Sequence, residues 1–251
     1  METKQESETH EPVVSIKKLC KCFGEKQILK DVNLELRKAE NLVILGKSGS
    51  GKSTIIKCMV GLTAPDSGNI CILGKDMTEV AYEELNQLRT KIGFLFQGNA
   101  LYDSLTVYEN LAFPLRYHKK EMEKEEMDSL IHEVLESVGL PDSGNQMPAE
   151  LSGGMSKRIG LARTLVLKPE IMLYDEPTTG LDTVTAREIC QLMVDMQNKY
   201  KISSIVITHD IPSVKTIADR IAILNEGTIV AEGNYEEMVK NEDGQVRSFF
   251  T

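Results

Sequence analysis

"NLVILGKSGSGKST", residues 41–54, runs through four consecutive apolar side chains, turns on a glycine-rich loop and closes on Lys-Ser-Thr. An unbroken apolar run of that length fits a strand covered on both faces. Behind the loop, Ile55, Ile56, Met59 and Val60 share one face of a predicted helix. Gly46 to Thr54 satisfies Gly-x4-Gly-Lys-[Ser/Thr] between the two elements. Glycines let the backbone curl until successive N–H groups point inward, and the helix N-terminus adds partial positive charge; both favour a polyphosphate. The loop residues Gly46, Lys47, Ser48, Gly49, Ser50 and Gly51 would then cradle phosphates, ahead of Thr54 in the helix. Lys52 would reach the β- and γ-phosphates and the Ser53 hydroxyl would ligate Mg²⁺. The competing reading, a glycine-rich turn with a chance lysine, does not account for the flanking strand and helix.

Three more apolar runs end on polar residues. "IMLYDEP", residues 171–177, puts Asp175 and Glu176 at the carboxyl end of a buried strand, the edge where open α/β sheets hold ligands. Asp175 suits the Mg²⁺ shell and Glu176 can accept a proton from an attacking water. Alternatively the pair merely starts a helix whose first turn suits Pro177. "SSIVITHD" sets His209 at another such end, as a γ-phosphate contact, although a lone histidine is more often a packed or exposed residue. "IGFLFQ" does the same for Gln97, suited to orient water or Mg²⁺. Either is unremarkable singly; with the loop they converge on one site.

The order of elements predicts an α/β fold: a P-loop type, mostly parallel sheet over residues 13–96 and 168–251. Joined to it would be an antiparallel β subdomain, in which "VVSIKKL" and "ILKDVNLEL" pair. Between them, residues 97–167 read as a helical insert, with Met127, Leu130, Ile131, Val134, Leu135 and Val138 spaced by three and four. The charged run "HKKEMEKEE" mixes signs, as a solvated helix face does. Residues 1–12 read as a disordered polar tail, not a secretory signal.

With 29 basic and 38 acidic residues the 251-residue chain carries a net charge of -9, which argues against a nucleic-acid partner. No apolar run approaches the roughly 20 residues that cross a bilayer. The five cysteines lack the paired spacing of zinc or redox motifs and read as reduced thiols; Cys20 and Cys22, a conceivable metal pair, alternate with lysines in a predicted strand.

A second glycine-bearing stretch, "LSGGMSKR" at residues 151–158, continues into "IGLARTLVLKPEIMLYDEPTTGLD". Together with the first loop, Gln97 and His209, it resembles the ATPase subunits of ABC transporters from about Val13 to Gly233. The resemblance implies a Walker A loop at Gly46 to Thr54, a Q-loop at Gln97 and a signature at Leu151 to Met155. Asp175 would be the Walker B aspartate, Glu176 the catalytic base and His209 the switch histidine. Gly180, Leu181 and Asp182 fall in the D-loop, and Phe23 where members stack an aromatic on adenine; its other reading is a core phenylalanine.

The family's architecture implies a head-to-tail homodimer in which each ATP lies between one chain's P-loop and the other's Ser152, Gly153 and Gly154. It also implies integral membrane permease subunits docking near Gln97 to Arg116, beneath which the chain sits on the cytoplasmic side of the inner membrane. Met155, where most members carry Gln or Glu, the basic pair after it, and "LTVYENLAFPLR" at residues 105–116 resemble the ATPases of MCE-associated, Mla-type phospholipid transporters. That group implies an MCE-domain protein and small accessory subunits as further partners. Met155 as a neutral variant is the other reading. Ala39 and Glu40 stand where many members have Gly-Glu, a turn difference expected to leave the site untouched.

Overall fold

The computed structural model describes residues 11–250, so most of the expected tail, residues 1–10, lies outside the described residues. Strands β1 (Val14–Phe23) and β2 (Lys26–Leu36) form the antiparallel pair that their alternation predicts, Val14 opposite Leu36 and Phe23 opposite Lys26. β3 (Asn41–Leu45) and α1 (Lys52–Met59) flank the glycine loop. β4 (Ser67–Ile72) and β5 (Lys75–Asp76) precede α2 (Tyr82–Thr90) and β6 (Ile92–Leu95). Three α-helices follow, α3 (Val107–His118), α4 (Lys124–Ser137) and α5 (Gly153–Leu165). Strand and helix then alternate through β7 (Ile171–Asp175), α6 (Thr183–Tyr200), β8 (Ser203–Thr208) and α7 (Ile211–Ile217). β9 (Arg220–Asn225), β10 (Thr228–Gly233) and α8 (Tyr235–Lys240) come next, then α9 (Gly244–Phe250). The apolar pattern does not announce α9: its fixing contacts, buried Val246 and the edge-on pairing of Phe250 with Tyr235, are tertiary.

The strands form two sheets. One has six strands in the order β10-β9-β3-β8-β7-β6, parallel except for β10; the other is antiparallel, β2-β1-β4-β5. Period-two alternation sends Val43, Met172, Tyr174, Val206, Ile221 and Ile223 into a core shared with α3 to α6. Leu42, Ile44, Ile171, Leu173, Ile205, Ile207, Ala222 and Leu224 enter the opposite core, made with α1 and the antiparallel sheet. Apolar residues at consecutive positions are therefore required in the central strands, because neither face meets water.

At the amino end of β3 the chain bends through Ala39, whose φ of 55° lies in the left-handed region that a Cβ disfavours. Its N–H donates to Ser203 Oγ at 2.9 Å and its carbonyl accepts from Gln197. The adjoining Glu40 is buried and accepts from Arg37 N–H and from Arg220 Nε, both at 2.8 Å. Burial opposes its charge, but these Arg220 and Arg37 bonds win and hold its carboxyl below the usual range. The turn sits at the strand end opposite the glycine loop, away from the site, as expected.

Asn110, fully buried at the start of α3, accepts from Tyr102 N–H at 2.8 Å and donates to the carbonyls of Tyr102, Leu105 and Thr106. It thereby shapes the loop between Gln97 and α3, whose N-terminus carries a Thr106–Glu109 capping box. Replacing Asn110 by Leu strands these main-chain groups. The expected outcome is a loss of about 1–3 kcal/mol in unfolding free energy, read from denaturant melts.

Candidate functional site

The loop after β3 returns to α1 through Gly49 and Gly51, at φ 78° and 110°. Gly46 is packed so tightly that a Cβ would come within 2.6 Å of both Leu224 O and Ser50 Oγ, so only glycine fits. The curl turns Lys52 inward: its side chain is 7% exposed, and Nζ donates to the carbonyls of Gly46 at 2.7 Å and Lys47 at 3.1 Å. Nζ also lies 3.6 Å from Glu176 Oε1. Burial pulls the Lys52 pKa down, and Glu176 and Asp175 oppose that pull.

Asp175 ends β7, and its Oδ1 accepts from Ser53 Oγ at 3.3 Å. Burial raises its pKa above the usual carboxylate range, against the Ser53 bond and the lysines, while Glu176 raises it further. Glu176 takes a left-handed φ of 49° and donates its N–H to Ile207 O in β8 at 2.9 Å. That fixed peptide turns its carboxylate toward the loop. His209, one residue past β8, puts Nδ1 2.9 and 3.0 Å from the two Glu176 carboxylate oxygens.

These groups line a cleft of about 520 Å³ together with Phe23, Ser48, Gly49, Gly51, Thr54 and Gln97. Phe23 is 54% exposed, with the Lys21 ammonium 5.5 Å from its ring centre, so it is not a core phenylalanine. A larger hollow of about 880 Å³ lies elsewhere, on the antiparallel sheet, and shares no lining residue with this one. There Arg220 is already tied up by Glu40, Glu232 and the Glu35 carbonyl.

Other predicted residues do not line the cleft. Gly46 packs against Leu224 O and Ser50, Lys47 points its ammonium to 6.0 Å from the Phe249 ring, and Ser50 Oγ is buried without a partner. Ser152 caps α5, accepting from Met155 N–H at 3.2 Å, with Gly153 and Gly154 in the first turn. Asp182 caps α6 by accepting from the N–H groups of Val184 and Thr185. Thr185 bonds hold its carboxyl below the usual range. Within one chain, then, the second glycine stretch is not part of the first loop's cleft.

The cleft also has walls with no sequence signal: Lys26 and Ile28 from β2, and Thr179, whose hydroxyl lies 3.5 Å from Glu176 Oε2. They arrive by strand pairing and by the turn after β7, and no spacing encodes that. Among the described residues no group of three or more His, Cys, Asp and Glu side chains gathers as a metal site would; the Cys20 sulfur accepts from Asp31 N–H.

A ligand can be inferred from the donors. A buried ammonium and loop glycines at positive φ suit an anion rather than an apolar molecule. A hydroxyl and a carboxylate 3.3 Å apart are hard oxygen donors, as Mg²⁺ prefers.

Residues 29–179 match the family model described as ABC transporter. The chain is 40% identical over 236 residues to a probable ribonucleotide transport ATP-binding protein of Mycobacterium leprae, covering 94% of this chain and 68% of that one. It is 39% identical to a methionine import ATP-binding protein of Rhizobium johnstonii, covering 98% and 67%. It is also 39% identical to the chloroplastic protein trigalactosyldiacylglycerol 3 of Arabidopsis thaliana, covering 95% and 73%. The chain thus spans about two thirds to three quarters of these relatives' length. Among solved structures, a dimeric ATP-binding cassette in a post-hydrolysis state with ADP and Pi superposes with a TM-score of 0.80 at 34% identity, over 88% of this chain and 98% of that one. Fold, cleft and relatives agree: the chain belongs to the ABC transporter family, as an ATP-binding subunit that hydrolyses ATP with Mg²⁺.

Proposed function

We propose that the chain works as a head-to-tail homodimer on the cytoplasmic face of a membrane, powering permease subunits that move phospholipid. The observation that carries the dimer is the placement of Ser152, Gly153 and Gly154 away from their own chain's nucleotide cleft, at the N-terminus of a 13-residue helix. Serine hydroxyl, glycine N–H groups and helix dipole at that end suit the γ-phosphate held by a partner's P-loop. The dimeric state of the structural relative supports the same assembly. Among the described residues no helix is long and apolar enough to cross a membrane, so the transport path is assigned to other chains.

In this reading Glu176 takes the proton of the attacking water. Lys52 would offset charge on the β- and γ-phosphates, and Ser53, Asp175 and Gln97 would hold Mg²⁺, which when bound would neutralise developing phosphate charge. His209, with Nδ1 hydrogen-bonded to the Glu176 carboxylate, would have to donate an N–H from Nε2 to reach the γ-phosphate. Phe23 offers its exposed ring to adenine. The surface running from Gln97 to Arg116 is the permease dock: Tyr102 and Phe113 are both exposed, with ring centres 5.0 Å apart.

The lipid cargo rests on the "LSGGM" variant with its basic pair and on "LTVYENLAFPLR", and gains support from the relative named for a galactolipid. An MCE-domain protein and small accessory subunits complete that proposal. The relatives named for ribonucleotide and methionine transport favour a second reading, a subunit for a small polar solute.

Glu176→Gln should keep ATP binding and lower phosphate release by about 10²- to 10⁴-fold. It should also dimerise on adding ATP, as seen by light scattering. Adding Ser152→Phe to that variant should leave it monomeric; ATP-driven dimers of the double variant would refute the composite site. For cargo, the Glu176→Gln complex purified with its membrane partners should carry phospholipid detectable by mass spectrometry. Bound methionine or ribonucleotide in its place would decide for the second reading.

A further inference from the structure

Helix α5 carries a buried lysine to which none of these roles falls. Lys157 is 4% exposed, and its Nζ donates to the main-chain carbonyl of Gln97 at 2.6 Å. Burying an ammonium is costly unless it is partnered. Its partner here is the turn that presents Gln97 to the cleft, with Asp175 as the neighbouring negative charge that opposes the downward pull of burial on its pKa.

The rest of that helix face grips the same turn. Asn99 Nδ2 donates to Ser156 Oγ at 3.0 Å, and Arg163 donates to the Ala100 carbonyl. A Cβ on Gly160 would come within 3.3 Å of Asn99 Cβ, so helix and turn meet closely there. Positions 156, 157, 160 and 163 share one helical stripe. The turn needs holding, because Asn99 and Ala100 both adopt left-handed φ, 59° and 53°, which side chains disfavour.

We propose that Lys157 is a positioning residue: by fixing the Gln97 carbonyl it sets the direction in which the Gln97 side chain enters its own protomer's cleft. This couples the helix that begins at Ser152 to the nucleotide end of the site. The inference rests on the reading of Gln97 as a site residue given above. If Ser152 contacts the partner's ATP, each α5 touches one site at its start and steadies the other from its second turn.

The test is a mutant cycle on the full-length chain: K157M, K157R, Q97A and Q97A/K157M, with phosphate release, KM for ATP and thermal melting measured for each. K157M should lose between about ten- and a hundredfold in kcat, the scale of a misplaced reacting geometry, with KM for ATP little changed. K157R should recover most of the rate. On the Q97A background, K157M should cost less than about twofold, because a residue that acts through Gln97 has nothing left to position. Equal loss from K157M with and without Gln97 would mark Lys157 as merely structural and overturn the proposal. So would a wild-type kcat for K157M beside an impaired Q97A. A wild-type rate for Q97A would overturn the reading of Gln97 itself and the proposal with it. Where K157M does not fold, K157Q takes its place in the cycle under the same criteria.

Discussion

The parallel hydrogen-bond register joining β3, β8, β7 and β6 is the constraint on which the site depends. Leu45 lies beside Thr208, Ile207 beside Asp175, and Tyr174 beside Leu95, so four strands finish on one edge. Whatever follows each strand is then brought to that edge: the glycine loop after β3, His209 after β8, Glu176 after β7, Gln97 after β6. Residues separated by 30 to more than 100 positions converge because their strands are in register, not because any local segment folds toward another. A slip of one residue in β7 would exchange its two cores and turn Asp175 away.

Electrostatics then sets the character of that edge. Lys52 is buried and Asp175 and Glu176 are half-buried, a setting where unlike charges must stay close and well hydrogen-bonded to be tolerated. The shifts of Lys52 and Asp175 run in opposite directions from the same cause, loss of water, which disfavours each charged form. Glu176 is held by a main-chain bond to the neighbouring strand, by Lys52 and by His209, so its carboxylate is aimed from three sides. Such advance placement is what lets a site act without reorganising during the reaction.

Helix α5 deserves comparison with α1, since both begin on glycines and both present free N–H groups. α1 opens into its own cleft behind the curled loop. α5 is capped by its own Ser152 hydroxyl and packs its opposite face, through Lys157 and Gly160, on the turn that carries Gln97. The two helix ends are alike in chemistry and different in surroundings, which is why one chain can bear two phosphate-suited termini without placing them together.

Much of this was legible in the residues alone. Continuous apolar runs marked the strands covered on both faces, since nothing but apolar side chains can occupy both sides of a dry sheet. Glycine spacing and the following Lys-Ser marked the phosphate loop, since only glycine takes the curl and only a near neighbour can fill it. Polar residues at the ends of those runs, Gln97, Asp175, Glu176 and His209, are among those that line the cleft. What required the tertiary structure were contacts between distant segments: the bond from Lys157 to Gln97, the Asn110 brace, the Thr179 wall and the docking of α9. No periodicity encodes them, because local pattern reports which face of an element is dry, whereas the partner on that face is chosen by how whole elements pack.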